Sequence, residues 1–266
     1  MISIEKLQEG IILPIDKPRQ WTSFQVVNKV KSIVRHLVGI KNIKIGHAGT
    51  LDPLATGLLL VCIGKATKNI PLLQDGEKVY TGTMVFGATT PSFDLEQPID
   101  SYYPYEHITN TLLNMTTKRF LGSIQQVPPL FSAVKINGQR AYLHARTGDL
   151  APSIESKTVN VYSFEISAFR PPFTHTVETI DAPNTITQYK HHLYQTPLGT
   201  VPAHLPQADF RIRCGKGTYI RSLARDLGVA LGSGAYLSAL RREMAGSFTI
   251  EHSIQLDQVE VYLNNL

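Results

Sequence analysis

Cysteine is scarce in this chain: there are two in 266 residues, Cys62 and Cys214, each inside an apolar, strand-like stretch. So low a count excludes a disulfide-stapled framework and a cysteine-based metal site, and both thiols are expected to be reduced core residues. No apolar run approaches the roughly 20 residues that span a bilayer as a helix, and no signal-peptide pattern opens the sequence. The expectation is a soluble, cytoplasmic protein. Charge is thin as well. Asp, Glu, Lys and Arg make up 18% of the chain, below the usual quarter or so, and 42% of residues are hydrophobic. That balance argues for a sizeable core and against disorder. The charge present leans positive, with a net of +5, which favours a polyanionic partner without requiring one. Internal repeats and low-complexity tracts are also missing.

The patterning that is present reads as alternating strands and helices. Gly10 to Pro18 is a short strand running into a turn. Thr22 or Ser23 then caps a helix whose Val27, Val30, Val34 and Leu37 recur at helical spacing, with Lys29, Lys31, Arg35 and His36 on its other faces. Leu58 to Ile63 is a continuous apolar run bounded by Gly57 and Gly64, the mark of a buried strand. Strands are expected at Val79–Gly87, Val159–Phe169, Phe210–Cys214 and Ser247–Ile250, and helices at Tyr219–Leu231 and Leu256–Leu263. Asn137-Gly138 marks a hairpin turn, with a short helix, Ala141 to Arg146, after it. Arg170 to Gln207 carries six prolines and no sustained periodicity; it reads as an insertion between strands. His175, His191, His192 and His204 fall in that insertion, but with no cysteine among them and no i, i+4 pair they do not make a metal site.

The stretch richest in chemistry is Gly46-His47-Ala48-Gly49-Thr50-Leu51-Asp52-Pro53-Leu54-Ala55-Thr56-Gly57. It sets a single carboxylate, Asp52, on a glycine-bracketed loop against the buried strand. A lone acid held this way serves as a nucleophile or base; Asp before Pro is equally the start of an ordinary turn. Spacing alone leaves both readings open.

GHAGTLDPLATGLLLVCIGKATK resembles the signature of the TruB family of tRNA pseudouridine synthases, which isomerise the T-loop uridine at tRNA position 55. Five further blocks are similar to that family's pattern. Asp16-Lys17-Pro18-Arg19-Gln20-Trp21-Thr22-Ser23 matches a lysine-proline turn that braces the aspartate loop, with Gln20 where the family usually has glycine. Lys78-Val79-Tyr80 matches a lysine-x-tyrosine motif, and Tyr80 would give an everted base a surface to rest on. Gln126 to Lys135, continuing through Asn137-Gly138-Gln139-Arg140-Ala141-Tyr142 to Arg146, offers Lys135, Arg140 and Arg146 beside Tyr142 as an RNA surface. Cys214-Gly215-Lys216-Gly217-Thr218-Tyr219-Ile220-Arg221 is no phosphate loop, because Lys216 is followed by glycine and the upstream glycine is absent. The resemblance instead sets Arg221 against the catalytic aspartate and Tyr219 under the target base. In Tyr236-Leu237-Ser238-Ala239-Leu240-Arg241-Arg242 it places Leu240 against the bound base, and Arg241 and Arg242 meet phosphates or face solvent. It puts His47 in the space that the flipped nucleotide vacates. Gly87 to Asp94 follows the family's Thr-Asp-rich loop only loosely and receives no role.

The resemblance therefore implies an α+β fold, a mixed and largely antiparallel sheet with helices around it and a central cleft. It implies one catalytic domain over residues 1–266, interrupted at about 170–207, with no complete C-terminal PUA module. Asp52 is the expected catalytic residue, and His47, Tyr80, Tyr219, Arg221 and Leu240 the substrate-binding ones. Neither metal nor cofactor is called for, since every bond broken or made lies within one nucleotide. The expected partner is the T-stem-loop of tRNA, met by a monomer with no membrane involved. Two rivals stand beside this reading: a catalytically silent tRNA-binding or folding protein, and a pseudouridine synthase with another RNA target.

Overall fold

The computed structural model describes residues 2–39, 42–132, 135–136, 139–141, 154–172 and 201–266. The strands are β1 (Ile11–Lys17), β2 (Ile45–Ala48), β3 (Thr56–Ile63), β4 (Lys78–Phe86), β5 (Ala88–Thr89), β6 (Ser101–Tyr102) and β7 (Gly122–Gln126). They continue with β8 (Lys135–Ile136), β9 (Gln139–Arg140), β10 (Lys157–Arg170), β11 (Gln207–Cys214), β12 (Ala235–Ala245), β13 (Phe248–Thr249) and β14 (Ile254–Gln255). Helices are α1 (Ile4–Glu9), α2 (Ser23–Val38), α3 (Ile70–Asp75), α4 (Asn110–Thr117), α5 (Ile220–Ala230) and α6 (Val259–Asn264).

The main sheet runs β14-β1-β3-β12-β4-β11-β10-β7, with β13 on β12 and β2 on β3. Pairing is antiparallel for β1 with β3, β2 with β3, β10 with β7 and β12 with β13, and parallel for β1 with β14 and β12 with β3. This is the mixed, mostly antiparallel α+β sheet expected from the sequence. By its contacts the chain divides into two units. One holds Met1–Thr81, Ile212–Lys216 and Leu240–Leu266, the other Gly82–Arg211 and Gly217–Ala239.

In the first unit β3 is the spine. From Leu58 to Ile63 every side chain is buried, so the continuous apolar run is a strand covered on both faces. Leu59, Val61 and Ile63 point into a cluster with Leu13, Ile15, Val26, Val30, Val259 and Leu263. Leu58 and Leu60 face a second cluster with Ala48 and Ala245, flanked by Ile70 and Leu73. Thr22, not Ser23, caps α2, and it does so with a reciprocal capping box through Gln25. The period-3.6 valines bury Val26, Val27, Val30 and Val34, leaving Lys29, Lys31, Arg35 and His36 exposed as the spacing predicts.

In the second unit, β10 pairs with β7 in the register Val159↔Ile124, and Phe164 lies edge-on to both Phe120 and Phe210. Strands β8 and β9 pair with Ile136 opposite Gln139, as a turn at Asn137-Gly138 requires. That turn itself, the helix expected beyond Ala141 and the insertion from 173 to 200 with His175, His191 and His192 lie outside the described residues. Both cysteines are buried and neither is in a disulfide, and burial pushes the Cys62 thiol up to about 11. Among the described residues no helix is long and apolar enough to cross a membrane.

Candidate active site

Strands β2 and β3 are joined by the loop that carries Asp52, and its glycines are where the backbone needs them. Gly49 and Gly57 sit at φ +95° and +98°, a region other residues enter only under strain. A Cβ on Gly57 would lie 2.4 Å from the carbonyl oxygen of Arg242. Residues on either side of Asp52 are pinned. Leu51 is buried; its N–H donates to Ser23 Oγ at 2.9 Å, and that hydroxyl donates back to the Leu51 carbonyl at 3.3 Å. The Pro53 carbonyl accepts from the Gln20 N–H at 2.8 Å and from Lys17 Nζ at 3.3 Å, and Ala55 N–H closes a turn on the Asp52 carbonyl at 3.1 Å. Asp52 itself is half-buried, so its carboxylate is held on a fixed backbone yet reachable.

Two buried cations lie beneath this loop. Lys17 on β1 and Arg242 on β12 are both in register with Gly57, one on each side of β3. Lys17 has no exposed surface, and Nζ donates to the carbonyls of Pro18 (2.9 Å), Trp21 (2.6 Å) and Pro53 (3.3 Å). Burial drives its pKa down to about 8, against the opposing charge of Asp52. The lysine-proline turn is thus a brace for the aspartate loop, as the resemblance implies. Arg242 is 1% exposed; Nε donates to the Leu58 carbonyl at 2.7 Å and Nη2 to that of Gly49 at 3.2 Å. Its positive charge beside the Tyr80 phenol counters the upward push that burial gives that hydroxyl. Burial lowers the pKa of His47, and the charge of Arg242 lowers it further, keeping the imidazole neutral at pH 7.

Arg242 therefore neither faces solvent nor offers itself to phosphate, the two roles open to it from the sequence. Its neighbour Arg241, on the opposite face of β12, grips Asp16 with Nη1 at 3.0 Å and Nη2 at 2.8 Å. Strand alternation separates them: Arg242 shares a face with Leu240, and placing 235–245 on a strand is the signal that would have marked it. Tyr80 and Leu240 both pack on the cluster that contains Leu51 and Ala55 of the aspartate loop. Lys78, two residues before Tyr80, is buried and donates to the Gln74 and Gly76 carbonyls, which anchors the start of β4.

The second unit holds Tyr219 and Arg221. The Gln126 amide takes Tyr219 by both backbone groups, accepting its N–H at 2.8 Å and donating to its carbonyl at 3.1 Å. Arg221, in the first turn of α5, is 3% exposed; Nη1 donates to the Ser92 carbonyl at 3.0 Å and Nη2 to the Phe131 carbonyl at 2.9 Å. Its Nε lies 3.8 Å from Asp94 Oδ2. Asp94 in turn accepts from Ser92 Oγ (2.6 Å) and the Glu96 N–H (2.9 Å). The loosely matching loop that received no role from the sequence thus supplies a buried carboxylate to Arg221. Of the insertion's histidines only His204 is among the described residues, with its ring 6.2 Å from that of Tyr105. No group of three potential metal ligands occurs among the described residues.

Two expected results follow from the brace. Replacing Lys17 with methionine strips donors from three carbonyls, and a loss of about 2–4 kcal/mol at pH 7 is expected in urea unfolding. Because the native pKa lies below the unfolded one, the unfolded chain holds more protons between pH 8 and pH 10.5. Wild-type stability measured against Lys17→Met should therefore rise with pH across that window; a flat difference would show that Lys17 keeps its ordinary pKa. The second result concerns Gln20, which sits at φ +67° where the family usually has glycine. Gln20→Gly should raise stability by about 0.5–1 kcal/mol and Gln20→Val lower it by about 1–2 kcal/mol, read as shifts in urea midpoint at constant slope.

Residues 35–186 match the family model described as TruB family pseudouridylate synthase, N-terminal domain, and residues 221–265 match the tRNA pseudouridylate synthase B C-terminal domain. The chain belongs to the TruB family of pseudouridylate synthases. It is 46% identical over 257 residues to the tRNA pseudouridine synthase B of Flavobacterium johnsoniae, covering 96% of this chain and 97% of that protein. The protein of that name from Bacteroides fragilis is 40% identical over 265 residues, covering 97% and 99%. Among solved structures, one chain of a Cbf5-Nop10-Gar1 complex superposes with a TM-score of 0.63 at 27% identity. A chain of an H/ACA RNP bound to a substrate RNA containing 2'-deoxyuridine gives 0.59 at 25%. Each alignment covers 98% of this chain but only 56% and 55% of the other, so this chain spans a little over half of each.

Proposed function

We propose that this protein is a tRNA pseudouridine synthase that isomerises uridine 55 in the T-loop. The target nucleotide leaves its stack, as any base in a folded loop must before chemistry at its glycosidic bond. Asp52 then drives the cleavage of that bond. The N1–C1′ bond breaks, the uracil turns over and C5 bonds to C1′; C5 loses its proton to solvent and N1 takes one up, so the product is an isomer of the substrate. Tyr80 and Leu240 bracket the everted base; the remaining roles are those the family resemblance implies, Tyr219 for the base and Arg221 for keeping a carboxylate ionised. His47, held neutral, occupies the gap left in the T-loop.

The observation that carries this reading is the aspartate loop itself. A half-buried carboxylate is fixed by its neighbours' backbone groups over two buried cations, in a chain 46% identical to a tRNA pseudouridine synthase B. Preorganised charge of this kind is where an enzyme places its transition-state stabilisation. The test uses a tRNA transcript labelled with tritium at C5 of uridine, since forming the C5 glycosidic bond expels that hydrogen. Release of label from position 55 is expected, and its abolition when the T-loop is scrambled. No release at all would leave the silent RNA-binding protein standing, and release indifferent to the T-loop would point to another RNA target.

A further inference from the structure

We propose that the solvent face of α2 is a docking track for the phosphate backbone of the substrate RNA, with Phe24 at its catalytic end stacking on an unpaired nucleobase. The inference rests on the reading of the chain as a tRNA-modifying enzyme and adds to it the surface that holds the RNA.

Helix α2 is 16 residues long, about 24 Å at 1.5 Å per residue. Its inner face is spent on the core through Val26, Val30, Ile33 and Val34. On the outer face Phe24, Asn28, Lys31 and Arg35 follow one another at i, i+4, i+7 and i+11, all exposed, with Lys29 and His36 on the adjoining stripe. A solvated helix face ordinarily mixes signs, because Glu–Lys pairs at i, i+4 support the helix and acids suit its first turn. This one has neither. No Asp or Glu occurs anywhere between Asp16 and Asp52, so no carboxylate on the helix neutralises its cations. A one-sign face of this kind complements a polyanion.

The direction of the track is set by what the helix start touches. Ser23 exchanges hydrogen bonds with both backbone groups of Leu51, the residue before Asp52, and the Gln20 N–H reaches the Pro53 carbonyl just after it. Phe24 is therefore adjacent in sequence to a residue locked onto the aspartate loop. It is 68% exposed, and its backbone is rigid because the Thr22–Gln25 capping box encloses it, at 2.8 and 3.1 Å. Unpaired RNA bases are taken up on such aromatic faces, each worth roughly 5- to 150-fold in affinity. The cations then recede from Phe24 along the helix, in the direction a flanking strand would follow.

The experiment compares the full-length wild type with a triple variant, Lys29→Gln, Lys31→Gln, Arg35→Gln, and with Phe24→Ala and Phe24→Trp. Equilibrium binding of a tRNA transcript is titrated between 50 and 200 mM salt, and KM and kcat are measured on the same RNA. Each lost phosphate contact lowers the salt slope by roughly 0.7 to 0.9, so a fall of about 2 is expected for the triple variant, with KM rising at least about tenfold. Phe24→Ala should raise KM by about tenfold with its salt slope intact, and Phe24→Trp should restore it. A wild-type slope in the triple variant overturns the proposal, as does lost affinity with no change of slope, or a Phe24→Ala enzyme of wild-type KM. All four positions are exposed; should the triple variant nonetheless unfold in circular dichroism, Lys31→Gln and Arg35→Gln singly must each lower the slope, and failure of both overturns it equally. A wild-type protein that binds tRNA yet forms no pseudouridine would refute the functional reading and leave the slope comparison valid.

Discussion

Asp52→Asn is expected to abolish pseudouridine formation, by at least about a thousandfold, while the protein still folds and still retains tRNA. The substitution keeps the shape of the side chain and removes only its charge and its capacity to act as nucleophile or base. The backbone on either side of that carboxylate is held by other groups. The Leu51 N–H goes to Ser23, the Pro53 carbonyl to Gln20 and Lys17, and the Asp52 backbone carbonyl to Ala55. Urea unfolding should remain a single cooperative transition, with the variant folded under assay conditions. The tritium-release assay and a filter-binding titration run on one preparation separate the two effects. Turnover by Asp52→Asn within tenfold of wild type would end the assignment of Asp52 as the catalytic residue, whatever the binding shows.

The second large effect is expected at Arg242. Leucine there fills much of the volume but leaves the Leu58 and Gly49 carbonyls without the donor that serves them. Stranded buried polar groups cost about 1–3 kcal/mol each, so Arg242→Leu should lose about 3–5 kcal/mol. For a chain of this size that is a drop of roughly 10 °C in Tm. Two readouts separate the local role from a general loss of stability. Removing the positive charge should let the His47 pKa climb back toward its ordinary value, visible in the pH dependence of its imidazole NMR signals. Well below the lowered Tm, kcat should fall about tenfold or more, because the aspartate loop loses its anchor at Gly49. A variant that melts within about 2 °C of wild type, with His47 titrating as before, would show that Arg242 is not the post on which the loop is built.

Much of this architecture was legible one residue at a time. Leu58–Ile63 declared a doubly covered strand by its unbroken apolarity, the valine spacing declared α2, and Gly49 and Gly57 bracketed a loop that only residues without a Cβ could close. The candidate acid was singled out by the family resemblance: an Asp before Pro between such turns is equally the start of an ordinary turn, and spacing left both readings open. Arg242 and Asp94 were not. An arginine beside another arginine reads as surface, and an aspartate in a loop of threonine and serine reads as a turn. Their importance comes from register and burial, which pair Arg242 with Gly57 across β12 and β3 and bring Arg221 of α5 to Asp94, 127 positions away in sequence.

The division between the two sources has a physical cause. Local geometry depends on φ, on side-chain period and on capping, all of which are properties of neighbours along the chain, so β3, α2 and the glycine-bracketed loop that presents Asp52 could be read from the chain, whereas β12 could not. Electrostatics depends on distance through space and on exclusion of water. It is long-range packing that buries Lys17 and Arg242 beneath that loop, brings the lysine's pKa down to about 8, and lets a positive-φ glutamine stand at position 20, where its N–H closes on Pro53.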